Sequence, residues 1–288
     1  MAVAIIGLGI MGSAYARHLI DAGIEVRGAD PVVSARERLI ELGGEAHDRI
    51  GPWLDGCDLV ILSLASPAVL NRVARELASV LSPGQAVMDT GTFALADKEA
   101  ARDILASAGV ELLDCTVSGT GAQAATKDLV LIASGPKAAM AVARSYIPHF
   151  TKKLIEAGEF GAGSRLKYVA NHAVAVHNTA AAEVLHYARS MGLPDDVVYD
   201  LLSTGAGQSK MLDLRMPLMI SGAYDPPTAS LKMFDKDLSI IGDDIARLGV
   251  TTPLFDACVA LYDQAMANLP ETHDTAAVYE VYRATDAG

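Results

Sequence analysis

Short apolar runs alternate with longer amphipathic stretches through the first half of the chain. The runs have the length of buried strands, and the stretches between them space their apolar residues as helices do. This alternation predicts βαβ units in an α/β fold, a doubly wound, mostly parallel sheet of the Rossmann type with helices on both faces. The predicted strands are 2–7, 25–30, 59–64, 86–89, 112–116, 129–133 and 153–156, and the helices between them include 13–21, 69–80, 94–108 and 137–147.

The pattern becomes wholly helical at the small-residue segment that ends with Ser164. Ser164 is a favourable N-cap for a long Ala-rich helix over 165–191, which Gly192 and Pro194 would end. We therefore predict two domains, 1–163 with the sheet and 164–288 all-α, the second for substrate binding and oligomerisation. An apolar helix of this length needs cover from other helices, part of it from a second subunit, so a homodimer or homotetramer is expected. Further helices are predicted over 195–202, 208–219, 232–248, 253–266 and 275–283.

A glycine motif follows the first predicted strand and precedes the first predicted helix. Gly7, Gly9 and Gly12 fit the G-x-G-x-x-G fingerprint of dinucleotide-binding sites, which is informative in this strand–turn–helix context. The first glycine permits the tight turn, the second lets a pyrophosphate approach the backbone, and the third lets helix and strand pack closely. The predicted cofactor-binding loop is Gly7-Leu8-Gly9-Ile10-Met11-Gly12.

An acidic residue, Asp30, ends the second predicted strand at the distance expected after such glycines. A carboxylate there accepts hydrogen bonds from ribose hydroxyls and repels a 2′-phosphate, which favours NAD over NADP. Arg27 and Arg36 lie close in sequence and keep NADP open as an alternative.

Composition narrows the class of protein. The 288 residues are 51% hydrophobic and 20% charged, with a net charge of −12 and no basic stretch, which argues against nucleic acid as a partner. The three cysteines are scattered without metal spacing and are expected to be reduced thiols in a cytoplasmic protein. We expect no metal site, because the histidines lack ligand spacing, and no membrane segment, because no apolar run is long enough.

Three sets of polar residues are candidates for chemistry. Lys167 and Asn171 are one turn apart on the long helix, where a lysine can move the proton of a substrate hydroxyl during hydride transfer, although a solvated helix face has the same spacing. Ser118, Gly119 and Thr120 follow the fifth strand and suit either a carboxylate-binding nest or a simple tight turn. Lys236 lies among aspartates and is either a ligand-binding cation or part of a surface charge cluster.

Taken together, these segments resemble the β-hydroxyacid dehydrogenase family along nearly the whole chain. The resemblance implies that Lys167 is the catalytic lysine, that Asn171 accompanies it, and that Ser118 and Gly119 bind the substrate carboxylate. It also implies that Lys236 lies near cofactor and substrate, and that the cofactor site is lined by Leu64, Ala65 and Thr92. The stretches that carry the resemblance are the glycine motif, Asp114-Cys115-Thr116-Val117-Ser118-Gly119, Gly161 through Asn171, and Lys236-Asp237-Leu238.

The chain departs from the family pattern at two positions. Thr120 stands where the family loop usually has a second glycine, and its side chain would narrow the substrate pocket or add a hydrogen bond. Ala170 stands where the family often has another asparagine. These departures bear on substrate identity more than on reaction type.

The resemblance implies an NAD-dependent oxidation of a small anionic hydroxy acid such as L-threonate or 3-hydroxyisobutyrate, with Lys167 as proton shuttle at a cleft between the domains. Two alternatives stay open. One is an NADPH-dependent imine, keto-acid or semialdehyde reductase on the same scaffold. The other is a dinucleotide-binding module without catalysis.

Overall fold

A computed structural model describes residues 2–285, so the outermost residues of both predicted domains lie outside the described part. The chain forms two compact units, Met1–Lys167 and Tyr168–Gly288. The boundary predicted after residue 163 falls in the first turn of a long helix, α8 (Ala162–Ser190), and the structural boundary falls about one turn later.

The first unit contains one eight-stranded sheet in the order β3-β2-β1-β4-β5-β6-β7-β8. All neighbouring strands are parallel except β6 and β7, which are antiparallel. The mostly parallel sheet is therefore confirmed. The strands are β1 (Ala2–Ile6), β2 (Glu25–Ala29), β3 (Glu45–His47), β4 (Cys57–Leu62), β5 (Ala86–Asp89), β6 (Glu111–Ser118), β7 (Val130–Ser134) and β8 (Lys153–Glu156).

Helices cover both faces of this sheet. Val3 and Ile5 of β1 enter one apolar cluster, whereas Ala2, Ala4 and Ile6 enter another, because successive side chains of a strand point to opposite faces. The doubly wound architecture follows from these two cores. The helices are α1 (Ile10–Asp21), α2 (Val33–Glu41), α3 (Pro67–Ala78), α4 (Leu95–Ala106), α5 (Gly121–Ala125), α6 (Lys137–Ala143) and α7 (Ile147–Phe150).

Two sequence predictions for this unit were wrong. The edge strand β3 was missed because it is only partly buried and contributes a single apolar residue, Ala46. The helix predicted over 137–147 is two helices, with Pro148 in the first turn of α7, where a proline fits because its missing N–H has no helical partner.

The second unit is helical, and its described residues form no strand beyond a single bridge between Ser230 and Asp274. One apolar core joins its helices. Arg215 and Asp274 form a buried ion pair at 3.0 Å within this unit. After α8 the helices are α9 (Asp195–Thr204), α10 (Lys210–Ser221), α11 (Leu231–Leu248), α12 (Pro253–Asn268) and α13 (Tyr279–Thr285).

The start of α8 corrects another expectation. The helix begins at Ala162, so Ser164 lies inside its first turn and is not the N-cap. Its hydroxyl donates to a carboxylate of the sheet, Asp114, instead of to the helix backbone. At the other end, Gly192 has a φ of +71° just after the helix, as expected of a glycine that terminates it. Within residues 2–285, every helix is too short or too polar to cross a bilayer.

Candidate active site

The glycine loop lies at the carboxyl end of β1, where ligands bind to such sheets. Gly7 has a φ of +96°, and a Cβ there would lie 2.2 Å from the carbonyl oxygen of Ser63. A Cβ on Gly12 would lie 1.9 Å from the carbonyl oxygen of Gly7. A Cβ on Gly9, in contrast, would have no atom within 4 Å. Two glycines are therefore required by packing, while Gly9 leaves open the space that a pyrophosphate would fill.

The start of α1 is suited to an anion. Gly9 is its N-cap and supplies no side chain for capping, and the first turn carries no acidic residue. Backbone N–H groups at the beginning of a helix have no partner within that helix and attract phosphate groups. Ile10, Met11 and Gly12 supply these groups, so the loop fits a dinucleotide.

Asp30 lies immediately after β2 and contacts the same loop. Its Oδ2 accepts a hydrogen bond from the Leu8 N–H at 2.8 Å, and its Oδ1 accepts one from the Val32 N–H at 2.8 Å. The carboxylate thus holds the glycine loop in place while keeping lone pairs for a ribose hydroxyl.

The two arginines near Asp30 in sequence differ in the structure. Arg27 donates to the carbonyl oxygens of Trp53 and Asp55 and pairs with Glu25. Arg36 donates through Nη1 to the carbonyl oxygens of Asp30, at 2.8 Å, and of Pro31, at 3.0 Å. Only Arg36 of this pair is therefore placed at the turn where a ribose is expected.

The loops after β4 and β5 are attached to the same edge of the sheet. The Ser63 N–H donates to the Ile6 carbonyl at 2.9 Å, and the Thr90 N–H donates to the Leu62 carbonyl at 3.0 Å. Leu64 and Ala65 follow on the first of these loops, and Thr92 follows on the second. Leu64 is beside Gly7, whose added Cβ would lie 3.6 Å from Leu64 Cδ2.

The Ser118 loop is held by its own backbone and by a capping box. Gly119 has a φ of +143°, which side-chain-bearing residues rarely adopt. Thr120 is the N-cap of α5: its Oγ1 accepts from the Gln123 N–H, and its own N–H donates to Gln123 Oε1 at 3.0 Å. The Thr120 hydroxyl proton is left for another acceptor, since the hydroxyl takes part in the cap only as an acceptor.

This loop also lies next to the glycine loop. The ring of His18 on α1 hydrogen-bonds the Ala124 carbonyl through Nε2 at 2.8 Å. A Cβ on Gly121 would lie 2.6 Å from Ile10 Cγ2. The structure therefore brings the cofactor-loop candidates and Ser118 to Thr120 together within the first unit.

Lys167 is half-buried and lies one turn after the beginning of α8. That beginning is fixed to the sheet through Asp114, whose Oδ2 accepts from the Ser164 N–H at 2.7 Å and whose Oδ1 accepts from the Ser164 hydroxyl at 2.8 Å. Lys98 of α4 donates to Asp114 at 2.7 Å and lies 3.0 Å from Asp89. We refer to Lys98, Asp89 and Asp114 as the buried ion cluster.

The two carboxyls of the buried ion cluster differ electrostatically. Burial raises the pKa of Asp89, and the attraction of Lys98 does not overcome it. Burial acts on Asp114 too, but Lys98 and the two donors of Ser164 hold its pKa below the ordinary value. Sequence analysis missed Lys98, since it occurs in an ordinary amphipathic helix and nothing there distinguishes it from a surface lysine.

Asn171 and Lys236 are linked in the second unit by a residue that sequence analysis did not single out. The buried Asn171 donates through Nδ2 to Asp237 Oδ2 at 2.8 Å, and Lys236 Nζ lies 3.0 Å from Asp237 Oδ1. Lys236 is 43% exposed. The signals for the involvement of Asp237 were its adjacency to Lys236 and its place in the Lys236-Asp237-Leu238 stretch, which carries part of the family resemblance.

The three cysteines are buried free thiols. Among residues 2–285, no three His, Cys, Asp or Glu side chains are grouped so that they could hold a metal ion.

Comparison with known proteins identifies the family. Residues 2–158 match the family model of the NAD-binding domain of 6-phosphogluconate dehydrogenase, and residues 161–282 match that described as NAD-binding of NADP-dependent 3-hydroxyisobutyrate dehydrogenase. L-threonate dehydrogenase of Pectobacterium atrosepticum is 31% identical over 98% of this chain and 94% of its own.

Two solved structures agree with this assignment. A 3-hydroxyisobutyrate dehydrogenase of Salmonella typhimurium is 29% identical with a TM-score of 0.86, over 98% of this chain and 99% of its own. The Mycobacterium tuberculosis 3-hydroxyisobutyrate dehydrogenase, determined with L-serine, is 26% identical with a TM-score of 0.90 over the same shares. The chain therefore belongs to the β-hydroxyacid dehydrogenase family and is an NAD(P)-dependent oxidoreductase.

Proposed function

We propose that the enzyme, which acts on CH–OH groups, oxidises a small hydroxy acid of the L-threonate or 3-hydroxyisobutyrate type with NAD. The observation that carries the proposal is the arrangement within the first unit. There the dinucleotide loop lies beside the Ser118 loop, and the helix that bears Lys167 begins on β6, the strand that ends in Ser118. The names of the relatives support a small anionic substrate.

The Ser118 loop would bind the substrate carboxylate. Ser118 supplies a hydroxyl, Gly119 a backbone N–H, and Thr120 the hydroxyl proton that its capping role leaves over. Neutral donors on a rigid turn suit a carboxylate, because they are oriented before the anion arrives. The side chain of Thr120 fills the space that a glycine would leave, and its hydroxyl can donate a hydrogen bond. This favours substrates with a polar group near the carboxylate.

Lys167 would move the proton. When bound, the nicotinamide ring accepts the hydride that leaves the carbon of the alcohol. In this direction Lys167 must be neutral so that its amine can accept the hydroxyl proton; in reduction the ammonium donates the same proton. Asn171, one turn further along α8, would hydrogen-bond the same oxygen.

Asp237 and Lys236 would set the orientation of Asn171. The hydrogen bond from Asn171 Nδ2 to Asp237 fixes the amide plane and leaves its carbonyl oxygen and second N–H for the substrate. Lys236 balances the charge of Asp237 and would add positive potential near the anionic ligands.

A panel of hydroxy acids tests this function. The purified enzyme is incubated with NAD and threonate, 3-hydroxyisobutyrate, glycerate or serine, and NADH absorbance is followed. We expect turnover of at least one of these acids and none of neutral alcohols of the same size. Reduction of cyclic imines by NADPH with no oxidation of any hydroxy acid would contradict the proposal in favour of an imine reductase. NAD binding without turnover in either direction would indicate a binding module.

Cofactor preference depends on Asp30. We expect Asp30→Ala to raise the KM for NAD by about tenfold, a loss of about 1.4 kcal/mol in binding, and that for NADP by much less. The substitution removes a ribose acceptor for NAD and a repelling charge for the 2′-phosphate of NADP. It also removes the bond to the Leu8 N–H, which weakens the loop for both cofactors alike. Steady-state kinetics with both cofactors measure this, with Asp21→Ala, an exposed carboxylate at the end of α1, as the control. NADP being the better cofactor of the unmutated enzyme would refute the argument.

A further inference from the structure

The buried ion cluster carries a large desolvation cost in the core of a Rossmann domain. Lys98, Asp89 and Asp114 are all 0% exposed, so three ionisable groups have been removed from water. Apolar side chains of similar volume commonly stabilise a fold as well as a buried ion pair does. Stability alone therefore does not account for the cluster, whereas a role in holding particular elements in place would.

Only one carboxylate of the cluster reaches α8. Asp114 binds both the N–H and the hydroxyl of Ser164, whereas the hydrogen bond given to Asp89 by the backbone comes from Gly91, in the loop after β5. Lys98 contacts both carboxylates. Asp89 and Asp114 thus share Lys98 and are equally buried. They differ in what they hold, since Asp114 binds α8 and Asp89 binds the loop after β5.

Neighbouring contacts complete the attachment of α8 to the sheet. The Gly163 N–H donates to the Ser134 hydroxyl at 2.9 Å, and the Gly163 carbonyl accepts from Thr116 Oγ1 at 3.0 Å. A Cβ on Gly163 would lie 2.7 Å from the carbonyl oxygen of Asp114. The first turn of α8 is therefore packed directly on β6 and β7.

We propose that Asp114, held in place by Lys98, is a positioning residue that sets where Lys167 stands for the proton transfer. Ser164 and Lys167 are three residues apart on α8 and so share one face of the helix, with the lysine one turn above the serine. The two hydrogen bonds from Ser164 to Asp114 fix the position of this turn along the helix axis and its rotation about that axis. The inference rests on the proposed role of Lys167 and adds the contacts that position its amine.

The position of Lys167 matters because proton transfer needs hydrogen-bond distance. A displacement of about 1 Å at a reacting group costs about a hundredfold in rate. The lowered pKa of Asp114 keeps this carboxylate ionised, and the first turn of α8 attached, to a more acidic pH than an ordinary aspartate would.

Asp114→Asn and Asp89→Asn form a matched pair for the test. Each removes one buried carboxyl group beside Lys98, so both are expected to lower the thermal unfolding midpoint. We expect Asp114→Asn to lower kcat for the hydroxy acid by about 30-fold or more, with KM changed less than about threefold, and Asp89→Asn to leave kcat within about threefold of the unmutated enzyme. The dissociation constant for NAD, from fluorescence titration, is expected to be unchanged in both.

Hydrogen exchange supplies a readout that does not depend on activity. Backbone amides at 163–168 are expected to exchange faster in Asp114→Asn than in Asp89→Asn. Equal kcat and equal exchange in the two variants would overturn the proposal, as would an Asp114→Asn defect confined to NAD affinity. Failure of the proposed function would look different, since the unmutated enzyme would then oxidise no hydroxy acid at all.

Ser164→Ala covers the case in which Asp114→Asn does not fold. It leaves all three ionisable groups in place and removes only the hydroxyl bond to Asp114. We expect kcat to fall by about fivefold with normal NAD affinity, because one of the two constraints on the turn is lost. An unchanged kcat would overturn the proposal.

Discussion

Lys167→Ala is expected to lower kcat for hydroxy-acid oxidation by about 10³-fold while the dissociation constant for NAD changes less than about twofold. The amine is the group that we place at the substrate hydroxyl, whereas we assign the pyrophosphate to backbone N–H groups at the start of α1. Positioned general bases contribute about 10²- to 10⁴-fold, which sets the scale of the loss. Steady-state rates and fluorescence titration with NAD measure the two quantities separately.

Arg165→Ala is the matched control for this variant. Arg165 is an exposed cation in the same part of α8, two residues before Lys167, and we assign it no catalytic role. Its removal is expected to leave kcat within about twofold of the unmutated enzyme. Comparable losses in the two variants would show that general positive charge matters rather than a base, and full activity of Lys167→Ala would remove the lysine from the mechanism.

Gly9→Ala and Gly12→Ala are expected to fail in different ways. Gly9 has a φ of −67°, which suits alanine, and its added methyl meets no atom within 4 Å. The fold should therefore be unaffected, while Kd for NAD rises by about tenfold or more, because the methyl occupies the space next to the pyrophosphate. On Gly12 the methyl would overlap the Gly7 carbonyl, so we expect the free energy of unfolding to fall by about 3 kcal/mol.

Thermal unfolding without cofactor and titration with NAD separate the two outcomes. Gly242→Ala is a control, because this glycine lies in α11 and an added methyl there also has open space. It should bind NAD normally. If Gly9→Ala bound NAD as tightly as the unmutated protein, the loop would not be the pyrophosphate site.

Much of this fold is predictable because its signals are local. The strand residues of β1 are buried on both faces, and they read in sequence as one apolar run. The exceptions depend on neighbours distant in the chain. Ser164 has the side chain of an N-cap, but a carboxylate 50 residues away competes for it, and the helix starts two residues earlier. The edge strand β3 owes its existence to pairing with β2 and carries little pattern of its own.

In the candidate site, too, some residues are predictable from local sequence and others depend on distant neighbours. The glycine loop and Asp30 have fixed spacings that follow from the strand–turn–helix geometry, so they are recognisable along the chain. Lys98 and Asp237 act through contacts with residues 16 and 66 positions away, Asp114 and Asn171 respectively. Lys98 has the sequence surroundings of an ordinary surface charge. Asp237 lies in the Lys236-Asp237-Leu238 stretch, but that stretch does not show that its partner is Asn171. The role of such a charged residue can be recognised only when its distant partner is known.

Chemical rescue by a small amine would show whether the amine of Lys167 carries the hydroxyl proton. Lys167→Ala is assayed with saturating NAD and hydroxy acid while methylamine is added over a range of concentrations and pH. We expect turnover to return in proportion to the concentration of free-base methylamine, Arg165→Ala to gain nothing from the amine, and the affinity for NAD to stay constant throughout. Turnover of Lys167→Ala that matches the unmutated enzyme before any amine is added would contradict this role of Lys167.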